Sequence, residues 1–323
     1  MSEINTVMGP ISADKLGITL IHEHIHCSQS EQADSACISF DERKSAAAEC
    51  ARVLEEVKSY GLASILDATP IDLGRDVELI KEVSAASGIN IVCSTGFYRE
   101  TYEHDSVITH ETQKRKTVDE MYELFTREIT RGIEGTGIKA GAIKVGTGNG
   151  RISEYERKVL TAAARAQKDT GVPIITHTEA GTMGLEQAEL LISEGADPKR
   201  IMIGHRGADT DLRHHINVMD KGGNIAFDRF GIEIETTDAL REAIIIGLIG
   251  IGYADRIIMS HDYIVNQPGT TLESRKAWKA TGFNWSLEHI FENVIPALKK
   301  AGITDDTIDT MTVKNPRRLL ARE

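Results

Sequence analysis

The chain has 323 residues, of which 41% are hydrophobic and 27% charged, with a formal net charge of −12. That composition supports a large buried core and excludes a disordered chain. The acidic balance excludes the basic face that a nucleic acid or an anionic membrane surface would require.

The first fifteen residues lack a basic stretch followed by an apolar one, so no signal peptide is expected. The most apolar window, Ala243 to Gly252, is short and broken by glycine, and it reads as a buried helix end rather than a membrane span. Cys27, Cys37, Cys50 and Cys93 show no CxxC spacing, which fits a reduced, cytoplasmic chain.

In chain order, Asn5–Lys15 predicts a small N-terminal hairpin. Short apolar runs predict eight strands: Ile18–His22, Ser64–Ala68, Asn90–Ser94, Gly141–Val145, Pro173–His177, Ile201–His205, Asn224–Asp228 and Ile257–His261. Amphipathic stretches between them predict helices at Ser45–Ser59, Asp76–Ala86, Val118–Arg131, Ser153–Lys168, Gly184–Ser193, Leu212–Lys221 and Thr237–Gly250. Phe291–Lys300 and Asp305–Leu320 predict two closing helices. Strand–helix alternation with strands apolar on both faces predicts a parallel sheet covered by helices, and eight repeats predict a (β/α)8 barrel. A doubly wound open sheet would place a glycine-rich phosphate turn after the first strand, where this chain has His22-Glu23-His24. Gly146-Thr-Gly-Asn-Gly150 matches neither phosphate fingerprint and reads as a tight turn. No linker, low-complexity tract or charge block divides the chain, so residues 1–323 are expected to form one domain. The long stretch His261–Asn284 is expected as a non-helical loop over the barrel mouth.

His22 and His24, two apart on a strand, share one face, and Glu23 points the other way. Lys144 lies near the end of strand four, His177 ends strand five, His205 ends strand six and Asp262 follows strand eight. Singly, each has an ordinary reading: a hydrogen-bonded core histidine, a snorkelling lysine, a helix cap. Together they occupy the C-terminal rim, where barrels keep their chemistry. Four imidazoles and a carboxylate suit Zn, Co, Mn or Fe, and two ions use that set better than one. A lysine ammonium would repel two cations. Its neutral amine, which burial favours, can instead react with CO2 to give a bridging carbamate. Two such ions can hold a hydroxide and polarise a substrate oxygen.

The motifs Thr19-Leu-Ile-His-Glu-His24, Gly135-Thr-Gly-Ile-Lys-Ala-Gly-Ala-Ile-Lys144, Thr176-His-Thr178, Gly204-His205, Ser260-His-Asp262 and Asn315-Pro316 span nearly the whole chain. By them it resembles the phosphotriesterase-like family of the amidohydrolase superfamily, including its lactonases. The resemblance implies that His22, His24 and Asp262 hold the more buried ion, and that His177 and His205 hold the more exposed one. Carboxylated Lys144 and a hydroxide would bridge the two, with Asp262 taking the proton of the attacking hydroxide. Tyr98, in Thr95-Gly-Phe-Tyr98, and Arg229, in Phe227-Asp-Arg-Phe230, match lactonase residues that face the bridge and the substrate. For each there is a plainer alternative: a loop aromatic on the rim, and a surface arginine paired with Asp228 or Glu233.

Two departures stand out. Arg206-Gly-Ala-Asp-Thr-Asp211 leaves the register of Asp209 and Asp211 open, and the last loop offers Trp278 and Trp285 instead of the lactonases' Asp-Trp pairing. The remaining histidines read as peripheral: His26 in a loop, His261 in the barrel wall, His214, His215 and His289 on or near helices, and His104 and His110 in the third loop. The expected function is a binuclear metal hydrolase of a lactone or related carboxylic ester, a small molecule, in a cytoplasmic homodimer. Phosphotriester or N-acyl amide hydrolysis at the same centre, or a non-hydrolytic metal-binding homologue, are the alternatives.

Overall fold

The first segment to form regular structure is an antiparallel hairpin, β1 (Glu3–Thr6) and β2 (Gly9–Ser12), in the region read as a hairpin from sequence. The computed structural model describes residues 2–27, 40–100, 112–266 and 284–322; His104, His110, Trp278, Cys37 and most of the last loop lie outside them. After the hairpin come β3 (Ile18–His26), α1 (Phe40–Lys58), β4 (Leu62–Asp67), α2 (Val77–Ser87), β5 (Asn90–Gly96), α3 (Val118–Thr130), β6 (Ala142–Thr147) and α4 (Glu154–Thr170). Then follow β7 (Ile174–Thr178), α5 (Gly184–Ser193), β8 (Ile201–Ile203), α6 (Leu212–Asp220), β9 (Asn224–Phe227), α7 (Asp238–Gly250), β10 (Ile257–Met259) and β11 (Tyr263–Asn266). The residues read as helix starts are caps: Asp76, Ser153 and Thr237 accept from the backbone N–H groups of Leu79, Glu156 and Leu240.

All pairings in the large sheet are parallel, in the order β10-β9-β8-β7-β6-β5-β4-β3-β11. Its two ends are halves of one segment, residues 257–266. That segment pairs with β9 up to Met259, turns, and pairs with β3 from Tyr263. The turn is tied to β3 as well, because Asp262 N–H donates to His22 O at 3.0 Å. This makes a (β/α)8 barrel whose eighth strand is broken in the middle.

Two expectations need correction. The first strand runs on to His26, which is buried and pairs with Asn266 of β11 at 3.1 Å rather than lying in a loop. The start of the expected last loop is itself strand, because β11 is required to meet β3 and close the ring. The closing helices contain π-helical turns at Ile290–Val294 and Thr310–Lys314, which lead into α8 (Ile295–Lys300) and α10 (Asn315–Leu320); α9 (Asp305–Asp309) precedes the second turn.

Burial separates into two layers. Outside, the strands pack on the helices through residues such as Ile65, Ile143 and Ile203 against Leu54, Phe125 and Leu191. Inside, one residue from each barrel strand meets the others: Ile21, Leu66, Val92, Ala142, Ile175, Met202, Ala226 and Ile258. Ile4 and Leu16 from the N-terminal segment and Leu319 and Leu320 from α10 join them from below, giving an apolar floor. With side chains alternating along a strand, the next inward residue lies two positions on. That places Lys144 above Ala142, His177 above Ile175 and Asp228 above Ala226. In β3 the pairing register shifts between Leu20 and Glu23, and Ile21 is in the floor while the adjacent His22 is in the layer above. A bulge re-aims side chains in this way beside functional sites.

Candidate metal centre

The layer above the floor holds charged and polar side chains that are almost fully buried: His22, Lys144, His177, His205 and Asp228 are each no more than 2% exposed. Such groups persist inside a protein only when paired or bound. Asp228 does much of the pairing. Its Oδ2 accepts from His22 Nδ1 at 2.5 Å, and its Oδ1 accepts from His205 Nδ1 at 3.0 Å and from the His205 backbone N–H at 2.7 Å. A carboxylate can only accept, so both imidazoles carry their proton on Nδ1.

Burial lowers the pKa of His22 and holds His205 down at about 3, so both rings are neutral at neutral pH. Their Nε2 lone pairs then face Asp262, at 3.4 Å from His22 and 3.7 Å from His205. His24 Nε2 lies 3.1 Å from the same carboxylate, with its Nδ1 2.8 Å from Thr69 Oγ1. The His22 lone pair already accepts from Lys144 Nζ, whereas that of His205, directed at an anion, is repelled unless a cation lies between them. The ligand atoms of His22, His205 and Asp262 all fall within 4.8 Å of one another, so the donor set fits a divalent metal.

His177 uses its other face. Nε2 donates to Glu179 Oε2 at 2.9 Å, which leaves Nδ1 turned to the Tyr98 hydroxyl at 3.3 Å. Its pKa is also pushed well down by burial, then by His205 and Arg229. Lys144 Nζ donates to His22 Nε2 at 2.8 Å, and burial lowers its pKa to about 8. The neutral amine that carbamate formation needs is therefore far more populated near neutral pH than in an ordinary lysine. Burial alone would raise Asp262, but the surrounding groups, among them the bond to His24 and the Arg229 cation, outweigh it and hold it well below the carboxylate range.

Two backbone features place His205 and Asp262. His205 and Asp262 have φ of +55° and +56°, a left-handed conformation that costs a non-glycine residue about 1–2 kcal/mol. Strain of this kind is held where surrounding contacts over-determine it, commonly at functional sites. Gly204, just before His205, has no room for a side chain: a Cβ there would sit 2.2 Å from Thr176 O and 3.0 Å from Asp228 Oδ2.

A pocket of about 170 Å³ opens above these groups, lined also by Cys27, Leu73, Tyr98, Arg229, Ile232, Ile264 and Trp285. The structure brings together all eight residues singled out for chemistry. Arg229 Nε donates to Asp262 Oδ2 at 3.1 Å and Nη1 reaches Glu235 at 3.1 Å, so its partners are neither Asp228 nor Glu233. Burial pushes the Tyr98 hydroxyl up, keeping it protonated. Trp285 reaches the pocket wall.

Asp209 and Asp211 do not line the pocket. Asp209 accepts from Arg206 at 2.6 Å and His214 at 2.9 Å, and Asp211 caps α6. His261 lies in the wall as expected, bonded to Glu23 at 3.1 Å. The residues that sequence reasoning passed over are Asp228 and Glu179, which orient imidazoles. Asp228 carried only a positional hint, two beyond an apolar strand residue as Lys144 and His177 are, and it read equally well as a helix cap. Glu179 carried none.

Comparison with known proteins finds similarity along nearly the whole chain. The phosphotriesterase family model matches residues 2–320. A phosphotriesterase homology protein of Mycobacterium tuberculosis is 38% identical, covering 100% of this chain and 99% of its own. An aryldialkylphosphatase of Saccharolobus solfataricus is 34% identical over 96% of this chain and 97% of its own. A solved variant of a PTE-like lactonase from Deinococcus radiodurans superposes with a TM-score of 0.90 at 39% identity, covering 98% of this chain and 99% of that one.

Proposed function

Because the chain belongs to the phosphotriesterase family of the amidohydrolase superfamily and is a metal-dependent ester hydrolase, we propose that its substrate is a lactone or related carboxylic ester. The observation that carries this reading is the presence of a protonated Tyr98 hydroxyl and the Arg229 guanidinium in the lining of one small pocket. At about 170 Å³ the described pocket is below the roughly 300 Å³ lower end of drug-sized ligand sites, which suits a small ring.

Two divalent ions, zinc first and cobalt, manganese or iron as substitutes, would supply Lewis acidity and an activated water at neutral pH. His22, His24 and Asp262 would hold one, and His177 and His205 the other. The neutral Lys144 amine would attack CO2 and release a proton, giving an anionic carbamate able to serve both groups of ligands. Asp262, ionised and beside Arg229, takes up the proton that the attacking water gives up. Tyr98 donates to the leaving alkoxide, and Arg229 orients the acyl group. We take residues 1–323 as one catalytic domain, cytoplasmic and acting as a homodimer. No described helix is long and apolar enough to cross a membrane.

The test is kcat/KM for the metal-loaded protein against lactones, phosphotriesters and N-acyl amino acids. Lactones are expected to lead. Preference for a phosphotriester, the chemistry named for the aryldialkylphosphatase relative, would reverse the substrate assignment. No turnover of any class, with less than about one metal per chain, would return the protein to a binding role.

A further inference from the structure

We propose that Glu23, the residue between the two histidines, is the positioning residue that fixes Asp262 over the metal centre; this rests on the reading of Asp262 as a metal ligand. Glu23 is on the wall side of β3, fully buried, and takes no part in the chemistry above. Its Oε1 accepts from Ser260 Oγ at 2.7 Å, His261 N–H at 2.9 Å and His261 Nδ1 at 3.1 Å, and its Oε2 accepts from Tyr263 N–H at 2.7 Å. All four donors lie on residues 260–263, the turn between β10 and β11.

Asp262 stands in the middle of that turn with φ +56°, flanked by two residues whose backbone N–H groups end on Glu23. Its own N–H donates to His22 O at 3.0 Å, and Ser260 Oγ accepts from His22 N–H at 3.0 Å. A strained conformation persists only where neighbours over-determine it, and here the over-determination comes from the His22-Glu23 pair. The same anchor reaches the pocket wall. His261 Nε2 accepts from Ile290 N–H at 3.1 Å, and Trp285 Nε1 donates to His261 O at 3.0 Å. One strand thus supplies two imidazoles on its inner face and, from its outer face, the clamp for the carboxylate they share.

Glu23→Gln tests this. A glutamine can keep its oxygen toward the three donors, but its NH2 then confronts the Tyr263 N–H, donor against donor. The readouts are metal affinity by competition with a chelator, the visible spectrum of the cobalt-loaded protein, and kcat and KM separately. Expected are a 10–100-fold loss of metal affinity, as for other groups that orient ligands, a changed cobalt spectrum, and a fall in kcat with KM little altered. Wild-type affinity and spectrum with only a lowered Tm would overturn the proposal and leave Glu23 a wall residue. Asp262→Asn is measured in parallel. If it leaves affinity and spectrum unchanged, the ligand reading of Asp262 has failed; if it changes them and Glu23→Gln does not, only the positioning role has failed. Should Glu23→Gln not fold, Ser260→Ala removes one donor and keeps the carboxylate. It must shift the cobalt spectrum in the same direction, and an unshifted spectrum overturns the proposal.

Discussion

Asp228 holds the Nδ1 protons of both His22 and His205 on one carboxylate, so removing it frees two rings at once. Asp228→Ala is expected to weaken metal binding by at least 10–100-fold, checked by chelator competition. Asp228→Asn retains only one good acceptor and should fall between it and the wild type. For Lys144→Ala the expected outcome is loss of metal and activity with partial recovery on adding short carboxylic acids; full activity without them would remove the carbamate from the mechanism. Gly96→Ala is a backbone test of the same site. A Cβ there would meet Lys144 O at 1.9 Å, at a φ of +112°, so the strand carrying Lys144 must move. The candidate metal ligands were readable as candidates because each stands at or near the C-terminal end of an apolar run. Asp228 was not, because a lone aspartate after a strand reads equally well as a helix cap, and what distinguishes it is two histidines that meet only in the folded ring.

Among the elements, α4 shows how a cap ties loops at the rim together. Ser153 Oγ accepts from Glu156 N–H at 3.2 Å, and Glu156 Oε2 accepts from Ser153 N–H at 2.8 Å. Glu156 Oε1 also accepts from Gly148 N–H at 2.8 Å and Glu100 N–H at 3.0 Å, drawing the loops after β5 and β6 onto one helix start. Ser153→Ala is expected to cost about 1 kcal/mol in denaturant unfolding. Glu156→Ala should cost more, since it leaves buried N–H groups unpaired. All eight strands and most helices were readable from periodicity and caps. The bulge in β3 and the break in strand eight were not. They arise because one segment must serve two neighbours, β9 and β3, and that demand comes from ring closure rather than from any local run of residues.

At the scale of the whole molecule the buried histidines set a pH dependence. Burial lowers His22, His177, His205 and His215, the last two to about 3 and about 4, against about 6.5 unfolded. Between those values the unfolded chain binds more protons at these rings, so the stability they contribute is complete above about pH 6.5 and is lost as pH falls toward 4, opposed in part by the Asp72 carboxyl, which burial raises to about 7. Each group adds a slope of up to about 1.4 kcal/mol per pH unit. The metal-free protein is expected to melt several degrees lower at pH 5 than at pH 7, and bound metal should narrow that gap by holding the imidazoles deprotonated. A flat Tm across that range would contradict the buried, neutral state assigned to these rings.

The apolar floor has a consequence for traffic. The eight inward residues are backed by Ile4, Leu16, Leu319 and Leu320, so among the described residues the barrel offers no rear exit. Substrate, product, water and metal are then directed to the mouth above the floor rather than through it. A non-reactive substrate analogue lodged in the pocket should therefore slow stripping of the metal by a large chelator, in proportion to the fraction of sites it occupies. Stopped-flow measurement of metal release at increasing analogue concentration would show whether the mouth is truly shared.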